Sequence, residues 1–301
     1  MDWIIGLQNA IDYIEDNLTD DIDYEKVAEQ SFSSSYHFQR VFSILFGYTV
    51  GEYVRNRRLS QAGAELAARD IKVIDVALKY GYESPDSFSK AFQRFHGILP
   101  SQARQNGKKL KSFSRLVLKF SLEGGSTMNY RIEEKDELIL TGYKRRFTGT
   151  PSDKRAQEND FYISTRANQY MLHGLSRDCD TQYNVMCNFD EEGYDFYIAS
   201  ELDKWHTENL VLALGEEDAK RFETLTVPKG LYVVCETARA QYPTLLQNDL
   251  RKKIITEWLP SSGYQLANAP EISVAHWYYE YGNKELSKSR YIELWLPITK
   301  A

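Results

Sequence analysis

The chain has 301 residues, 42% of them hydrophobic, and a formal net charge of −6. That length suits two domains of ordinary size, with enough apolar side chains for packed cores. No run of about 18 apolar residues is present, so a transmembrane helix is not expected.

The first residues lack a basic segment and their apolar positions are periodic, so no signal peptide is expected either. Cys179, Cys187 and Cys235 lie far apart, without CxxC or CxxH spacing. Neither a disulfide framework nor a zinc site is expected, and a reducing cytoplasm fits. The net charge hides an uneven distribution. Residues 1–30 carry nine acids and one base, residues 31–120 fifteen Lys and Arg against six acids, and the remainder 21 against 28. A local basic excess suits a phosphate-facing surface in an otherwise acidic chain.

In chain order, Ile4, Leu7, Ile11, Ile14 and Leu18 recur at helical steps and predict an amphipathic helix. Asp23 is placed to cap a short helix holding Val27 and Ala28. Ser33 or Ser34 caps the next, with Phe38, Val41, Phe42 and Leu45 inward and Ser35, Tyr36, Gln39 and Arg40 outward; Gly47 ends it. A longer basic helix runs from Val50 to about Ala68 and carries Arg55, Arg57 and Arg58. The pattern then repeats. Val76-Ala77 answers Val27-Ala28, Phe88 and Phe92 answer Phe38 and Phe42, and Gly97 answers Gly47, at offsets of 49 to 50 residues. A fixed offset marks a duplicated unit. Ser84-Pro85 starts the second copy's last helix, because proline's missing N–H costs nothing there. Asp86, Ser87, Ser89, Lys90, Gln93 and Arg94 face outward.

Residues from about 5 to 107 resemble the DNA-binding domain of AraC/XylS-type transcription regulators. The residues that carry the likeness are Ala28…Phe38-x-Arg40-x-Phe42…Gly47, the basic connecting helix, Ile74-x-x-Val76-Ala77-x-x-x-Gly81-Tyr82, and Phe88-Ser89-Lys90-x-Phe92…Gly97-x-x-Pro100. Two departures are Leu99, where Ser or Thr is usual, and Lys90, where Arg is common. The resemblance implies two recognition helices in successive major grooves of double-stranded DNA, about 34 Å apart. By matched position, Ser35, Tyr36, Gln39 and Arg40 form the first reader and Asp86, Ser87, Lys90 and Arg94 the second. Arg40 is the foremost base-reading candidate, since a guanidinium can bond guanine at two points. Arg57, Arg58 and Arg104 are expected on phosphates. The plainer alternative for each residue alone is a solvated helix face.

The expected organisation is a DNA-binding domain at 1–107, a polar linker at 108–114 and a second domain at 115–301. In the second domain, Leu116, Leu118 and Phe120 alternate as a strand, as do Tyr130 with Ile132 and the run Leu138 to Tyr143. A helix is expected from Pro151 to about His173, then strands at Tyr183–Phe189 and Tyr194–Ala199. Strands at Phe222–Val227 and Tyr232–Glu236 follow. A helix opens at Pro243 and stops at Pro260, with Leu246, Leu250, Ile254 and Trp258 inward. His276–Tyr279 and Arg290–Ile298 are the last expected strands. This is an α+β domain, strand-strand-helix-strand-strand twice over, with mostly antiparallel sheet.

This second half resembles the GyrI-like effector-binding domain, through Val227-Pro228-x-Gly230-x-Tyr232, Glu257-Trp258-Leu259-Pro260-x-Ser262-Gly263-Tyr264 and Glu293-x-Trp295-x-Pro297-Ile298. The order of the two domains resembles the Rob-type branch of the AraC family. Along the last strand, Tyr291, Glu293 and Trp295 share one face. A carboxylate between aromatic rings suits an organic cation, and the resemblance places the acid at this position in a ligand cleft. Trp258, Tyr278, Tyr232, Tyr197, Trp277 and Tyr279 are further candidate walls. The alternative for the aromatics is packing of a sheet face. For Glu293 it is pairing with a cross-strand Lys or Arg.

Three functions remain open at this point. The foremost is a ligand-responsive transcription regulator, an activator with a cytoplasmic site of action, DNA and a small effector as partners, and RNA polymerase as an expected one. The second is a hydrolase of small electrophilic molecules with Glu293 as general acid or base. The third is a protein-binding module. No catalytic residue set, cofactor or metal is expected: His37, His96, His173, His206 and His276 sit in unrelated contexts.

Overall fold

The structure is a computed structural model and describes residues 2–105, 107–118, 127–190, 192–278 and 285–300. It divides into two units, Met1–Gln39 with Thr49–Gly124 and Arg40–Tyr48 with Gly125–Ala301.

The N-terminal helices are α1 (Asp2–Asp16), α2 (Tyr24–Glu29), α3 (Ser35–Phe46), α4 (Val50–Ala68), α5 (Val73–Lys79) and α6 (Pro85–His96). The pairs α2–α3 and α5–α6 are the two expected helix-turn-helix units. Local chemistry sets the helix ends. The Asp23 carboxylate accepts from Glu25 N, and Ser34 Oγ accepts from His37 N. Thr49 and Glu52 form a reciprocal capping box. Ser84 accepts from Ser87 N with Pro85 in the first turn, and Gly97 closes α6 at φ 80°. Leu59, Ala62 and Leu66 of α4 pack on Val76 and Ala77 of α5 and on Phe88 and Phe92 of α6. The helices α4 and α6 approach closely, and a Cβ at Gly63 would fall 2.6 Å from the His96 ring. That ring is buried. Lys111 N donates to its Nδ1, which leaves Nε2 to donate to Leu59 O at 3.0 Å. Burial pushes its pKa down and favours this neutral form.

The segment expected to be a flexible linker is tied to this unit by its backbone. Besides Lys111, Phe113 N donates to Ser60 Oγ and Leu116 N to Tyr53 Oη. Residues 116–118 form no strand, contrary to expectation, and the Leu116 amide is taken by the Tyr53 hydroxyl instead; Phe120 lies outside the described residues. The same Tyr53 donates to Glu15, which also takes a two-point ion pair from Arg57.

The second unit holds β1 (Tyr130–Lys135), β2 (Leu138–Thr148), α7 (Pro151–Ser164), α8 (Arg166–Leu175), β3 (Thr181–Cys187) and β4 (Gly193–Ser200). Short helices α9 (Lys204–Glu208), α10 (Leu210–Leu214) and α11 (Glu216–Ala219) lead to β5 (Glu223–Val227) and β6 (Gly230–Glu236). Then come α12 (Thr244–Lys253), a π-helical turn (Ile254–Trp258), α13 (Leu259–Ser262), β7 (Tyr264–Leu266), β8 (Glu271–His276) and β9 (Tyr291–Lys300). The expected double strand-strand-helix-strand-strand pattern is present. Its strands join one antiparallel sheet in the order β1-β6-β9-β8-β3-β4-β2-β5, with β7 on β9. The first strand of each half thus crosses to the other half: β1 pairs with β6, and β5 with β2.

Three details differ from expectation. The helix expected from Pro151 is two helices. The one opened at Pro243 passes Pro260, which falls in the first turn of α13, where a missing N–H is tolerated. The strand expected at His276–Tyr279 ends at His276, because Tyr278 takes a left-handed φ of 48°; Tyr279 lies outside the described residues. Alternation divides the sheet's faces. One is covered by helices: Phe161 and Leu172 pack on Tyr143, Phe147, Met186 and Phe196, while Ile254, Ile255 and Trp258 pack on Val233, Leu294 and Leu296. The opposite face carries a cluster of Leu140, Val185, Tyr197, Ala199, Val227, Ile272 and Val274, and every member comes from a strand.

Arg57 and Glu15 are nearly buried, with side chains 11% and 7% exposed. Arg57→Ala should therefore cost the helical unit about 3–5 kcal/mol in urea melts, because it strands a buried carboxylate. Burial raises the Glu15 pKa, but Arg57 and Tyr53 outweigh it and hold the group below its ordinary 4.5. A carboxyl group depressed on folding stabilises above its unfolded pKa. The contribution should be full above pH 4.5 and fade as pH falls through the lower folded value, a fading that the Arg57→Ala variant loses.

Candidate functional site

In the helical unit, the outer face of α6 presents Asp86, Ser87, Lys90 and Arg94 to solvent, as the sequence leads one to expect. Lys90 pairs with Asp86 one turn earlier at 2.8 Å, both largely exposed. Ser87 Oγ donates to Ser84 O, so it reinforces the helix start. On α3, Ser35, Tyr36 and Gln39 are half-buried, and Gln39 Nε2 donates to Ser35 Oγ. The three arginines expected on phosphates are engaged internally instead. Arg57 is bound to Glu15. Arg58 donates to Leu18 O and Asp20 O, and Arg104 to Leu66 O, Ile71 O and Asp70. A guanidinium offers five N–H groups, and here they satisfy carbonyls left at helix ends and turns.

Arg40, the foremost base-reading candidate, is 5% exposed and belongs to the second unit. It donates to Glu271 Oε2 at 2.6 Å and lies over the Phe189 ring, 3.4 Å from its centroid. Arg251 of α12 donates to the same oxygen at 2.6 Å. The buried Glu271 carboxylate thus holds two cations on the helix-covered face of the sheet.

The ligand candidates fall mostly on the opposite, strand-lined face. The register sets His276, Val274 and Ile272 of β8 beside Tyr291, Glu293 and Trp295 of β9. On the other side, Glu236 and Val234 of β6 lie beside Glu293 and Trp295. The Tyr232 ring is fully buried, 6.2 Å from that of Trp295. Tyr197 also lines this face, opposite Val185. Tyr278 tilts against Tyr291 at 6.5 Å. Trp258 is the exception: it lies in the π-helical turn, stacks on Tyr264 and belongs to the helical layer, so it is no wall of this face. Trp277 has passed the end of β8; its Nε1 is buried without a partner.

Both Glu293 oxygens are engaged. Trp295 Nε1 donates to Oε2 at 3.0 Å and Arg131 to Oε1 at 3.1 Å. Arg131 donates also to Glu236 at 2.8 Å and to Glu133 at 2.6 Å. Those hydrogen bonds, with Glu236 first, raise the Arg131 pKa. Lys135 pairs with Glu133, and its ammonium stands 4.2 Å from the Trp295 ring centroid. Arg239 pairs with Glu236 and lies over Tyr291, 3.4 Å from its centroid. The Tyr232 hydroxyl and His276 Nε2 are buried and have no partner. Burial pushes the phenol of Tyr232 up to about 12 and the imidazole of His276 down.

Sequence reasoning missed Arg131, Glu133, Lys135, Glu236, Tyr183 and His276 as members of this site. Their alternation was visible, but the strand order that gathers them was not. Among the described residues there is no His, Cys, Asp and Glu group fit to hold a metal, and no helix long and apolar enough to cross a membrane.

Comparison with known proteins gives matches to both halves. A helix-turn-helix domain family matches residues 27–106, and the family of integron-associated effector binding proteins matches residues 131–298. The transcriptional activator AarP of Providencia stuartii is 42% identical over 92 residues, covering 31% of this chain and 68% of AarP. The multiple antibiotic resistance protein MarA of Escherichia coli (strain K12) is 31% identical over 100 residues, 33% of this chain and 79% of MarA. The solved structure of SAV2435 bound to tetraphenylphosphonium is 15% identical, with a TM-score of 0.43 over 57% of this chain and 94% of that one.

Because Glu271 is 1% exposed and holds two guanidinium groups, Glu271→Ala should lower stability by about 3–5 kcal/mol, the penalty for buried charge left unpaired. Urea denaturation followed by circular dichroism measures it.

Proposed function

Since the chain belongs to the AraC-type transcription regulators, with a C-terminal domain of the integron-associated effector-binding family, we propose that it is an activator that reads DNA with α6 and α3 and answers to a small aromatic effector taken at Glu293. The activator role is carried from AarP, named as a transcriptional activator. RNA polymerase is the partner such a role requires, and the cytoplasm its setting. Ligand alters DNA binding or polymerase contact only if it favours one conformational state over another.

One observation carries the effector reading: a carboxylate, Glu293, stands among Tyr232, Tyr183, Trp295 and Tyr291 on the sheet face that, among the described residues, carries a cluster drawn from strands. Aromatic walls and a few placed polar groups are the usual make-up of a small-molecule site. The partnerless Tyr232 hydroxyl and His276 Nε2 add two groups that a ligand can satisfy. On the DNA side, the exposed face of α6 is the support, with Arg94 the long cation suited to a base edge or phosphate.

Two measurements test these assignments. Arg94→Ala should weaken binding to an operator selected from random-sequence DNA by about 1–3 kcal/mol in fluorescence anisotropy; unchanged affinity removes Arg94 from the interface. For the effector, tryptophan fluorescence follows titration with tetraphenylphosphonium, a lipophilic cation. Glu293→Gln should weaken it about tenfold or more, the loss of a charge-assisted contact. Equal affinity in variant and wild type sinks the cation reading.

A further inference from the structure

On the reading that Glu293 and Trp295 take the effector, we propose that Arg131 and Lys135 of edge strand β1 occupy the place of the effector's cation, so that Arg131 sets which ligand charge the site accepts. Three observations meet here. Arg131 spans Glu133, Glu236 and Glu293 with its three nitrogens, as a guanidinium's fork of donors allows. Lys135 stands over the Trp295 ring, where a ligand ammonium or phosphonium would lie. Finally, the carboxylates Glu133, Glu236 and Glu293 meet the cations Arg131, Lys135 and Arg239, which balances the group's charge.

A cation that arrives at Glu293 therefore finds no unbalanced negative charge. It gains attraction only by displacing the guanidinium from Oε1. Displacement is feasible because β1 is an edge strand, paired among the described residues with β6 alone. The Arg131 and Lys135 side chains are 45% and 26% exposed, so their charged ends can swing into water while the strand stays paired. Glu293, at 16% exposure on the inner strand β9, stays where it is. The internal cations thus act as a threshold: ligands that offer both a cation and enough aromatic area displace them, and small cations such as ammonium do not.

The test uses the full chain and two probes of one shape and opposite charge, tetraphenylphosphonium and tetraphenylborate, titrated by calorimetry. Arg131→Gln should tighten phosphonium binding about tenfold, equivalent to about 1.4 kcal/mol, and weaken borate binding. Lys135→Met should shift both in the same directions by less, and Arg131→Lys should return the phosphonium affinity toward wild type. Phosphonium affinity that is unchanged or weaker in Arg131→Gln, while Glu293→Gln still weakens it, overturns this proposal and leaves the Glu293 site standing. Glu293→Gln equal to wild type for both ions overturns the site and the proposal together. If Arg131→Gln lacks a wild-type thermal transition, Lys135→Met carries the same comparison.

Discussion

Each half of the sheet lends its first strand to the other half, and the chemistry of the candidate ligand face depends on that exchange. Without it, β1 would lie in the half from which it comes. Because β1 pairs with β6 instead, Arg131 faces Val234 and reaches the carboxylates of β6 and β9. Glu293 therefore takes its cationic partner from a residue 162 positions away in the chain. Side-chain alternation does the rest. Helices bury one face, and among the described residues the cluster on the other is drawn from strands.

At the DNA-binding end, charge is divided by function. The basic excess of residues 31–120 looked uniform in sequence, but Arg57 and Arg58 of α4 and Arg104 in the turn after α6 are spent on internal carbonyls and carboxylates, while Arg55 stays exposed. What remains outward on α6 is a short polar set, and Lys90 is already balanced by Asp86. The proposed reader face thus offers a few side chains rather than a broad basic field. Arg40 adds a second lesson: an outward helical position gains a partner as soon as a buried carboxylate stands opposite it.

Local features were readable from the sequence because local physics makes them. Asp23, Ser84-Pro85 and Gly97 mark helix ends through local bonds to neighbouring backbone, and the repeat from Val27 to Gly97 marks the duplication. The face shared by Tyr291, Glu293 and Trp295 follows from strand period alone. What sequence reading missed is non-local. Trp258 looked like a pocket wall because it is aromatic, yet helical phase turns it into the opposite layer. β8 was placed too late because the aromatic run Trp277–Tyr279 has the higher strand propensity, whereas the central strand is the buried Ile272–Ala275 stretch. No propensity records which strand crosses to which half.

The exchanged strands also impose an order in time. β9 sits between β6 and β8, inside the sheet, though it is the last strand to be synthesised. Until it arrives, β1 and β6 on one side and β8, β3 and β4 on the other cannot join into one sheet. Long-range pairing of this kind is slow, and waiting strand edges are prone to wrong partners. Most of the helical unit is built from nearer neighbours and has no such wait; Arg40–Tyr48 of α3, which belongs to the second unit, does. During synthesis most of the helical half can be formed while the sheet of the second half is still in pieces.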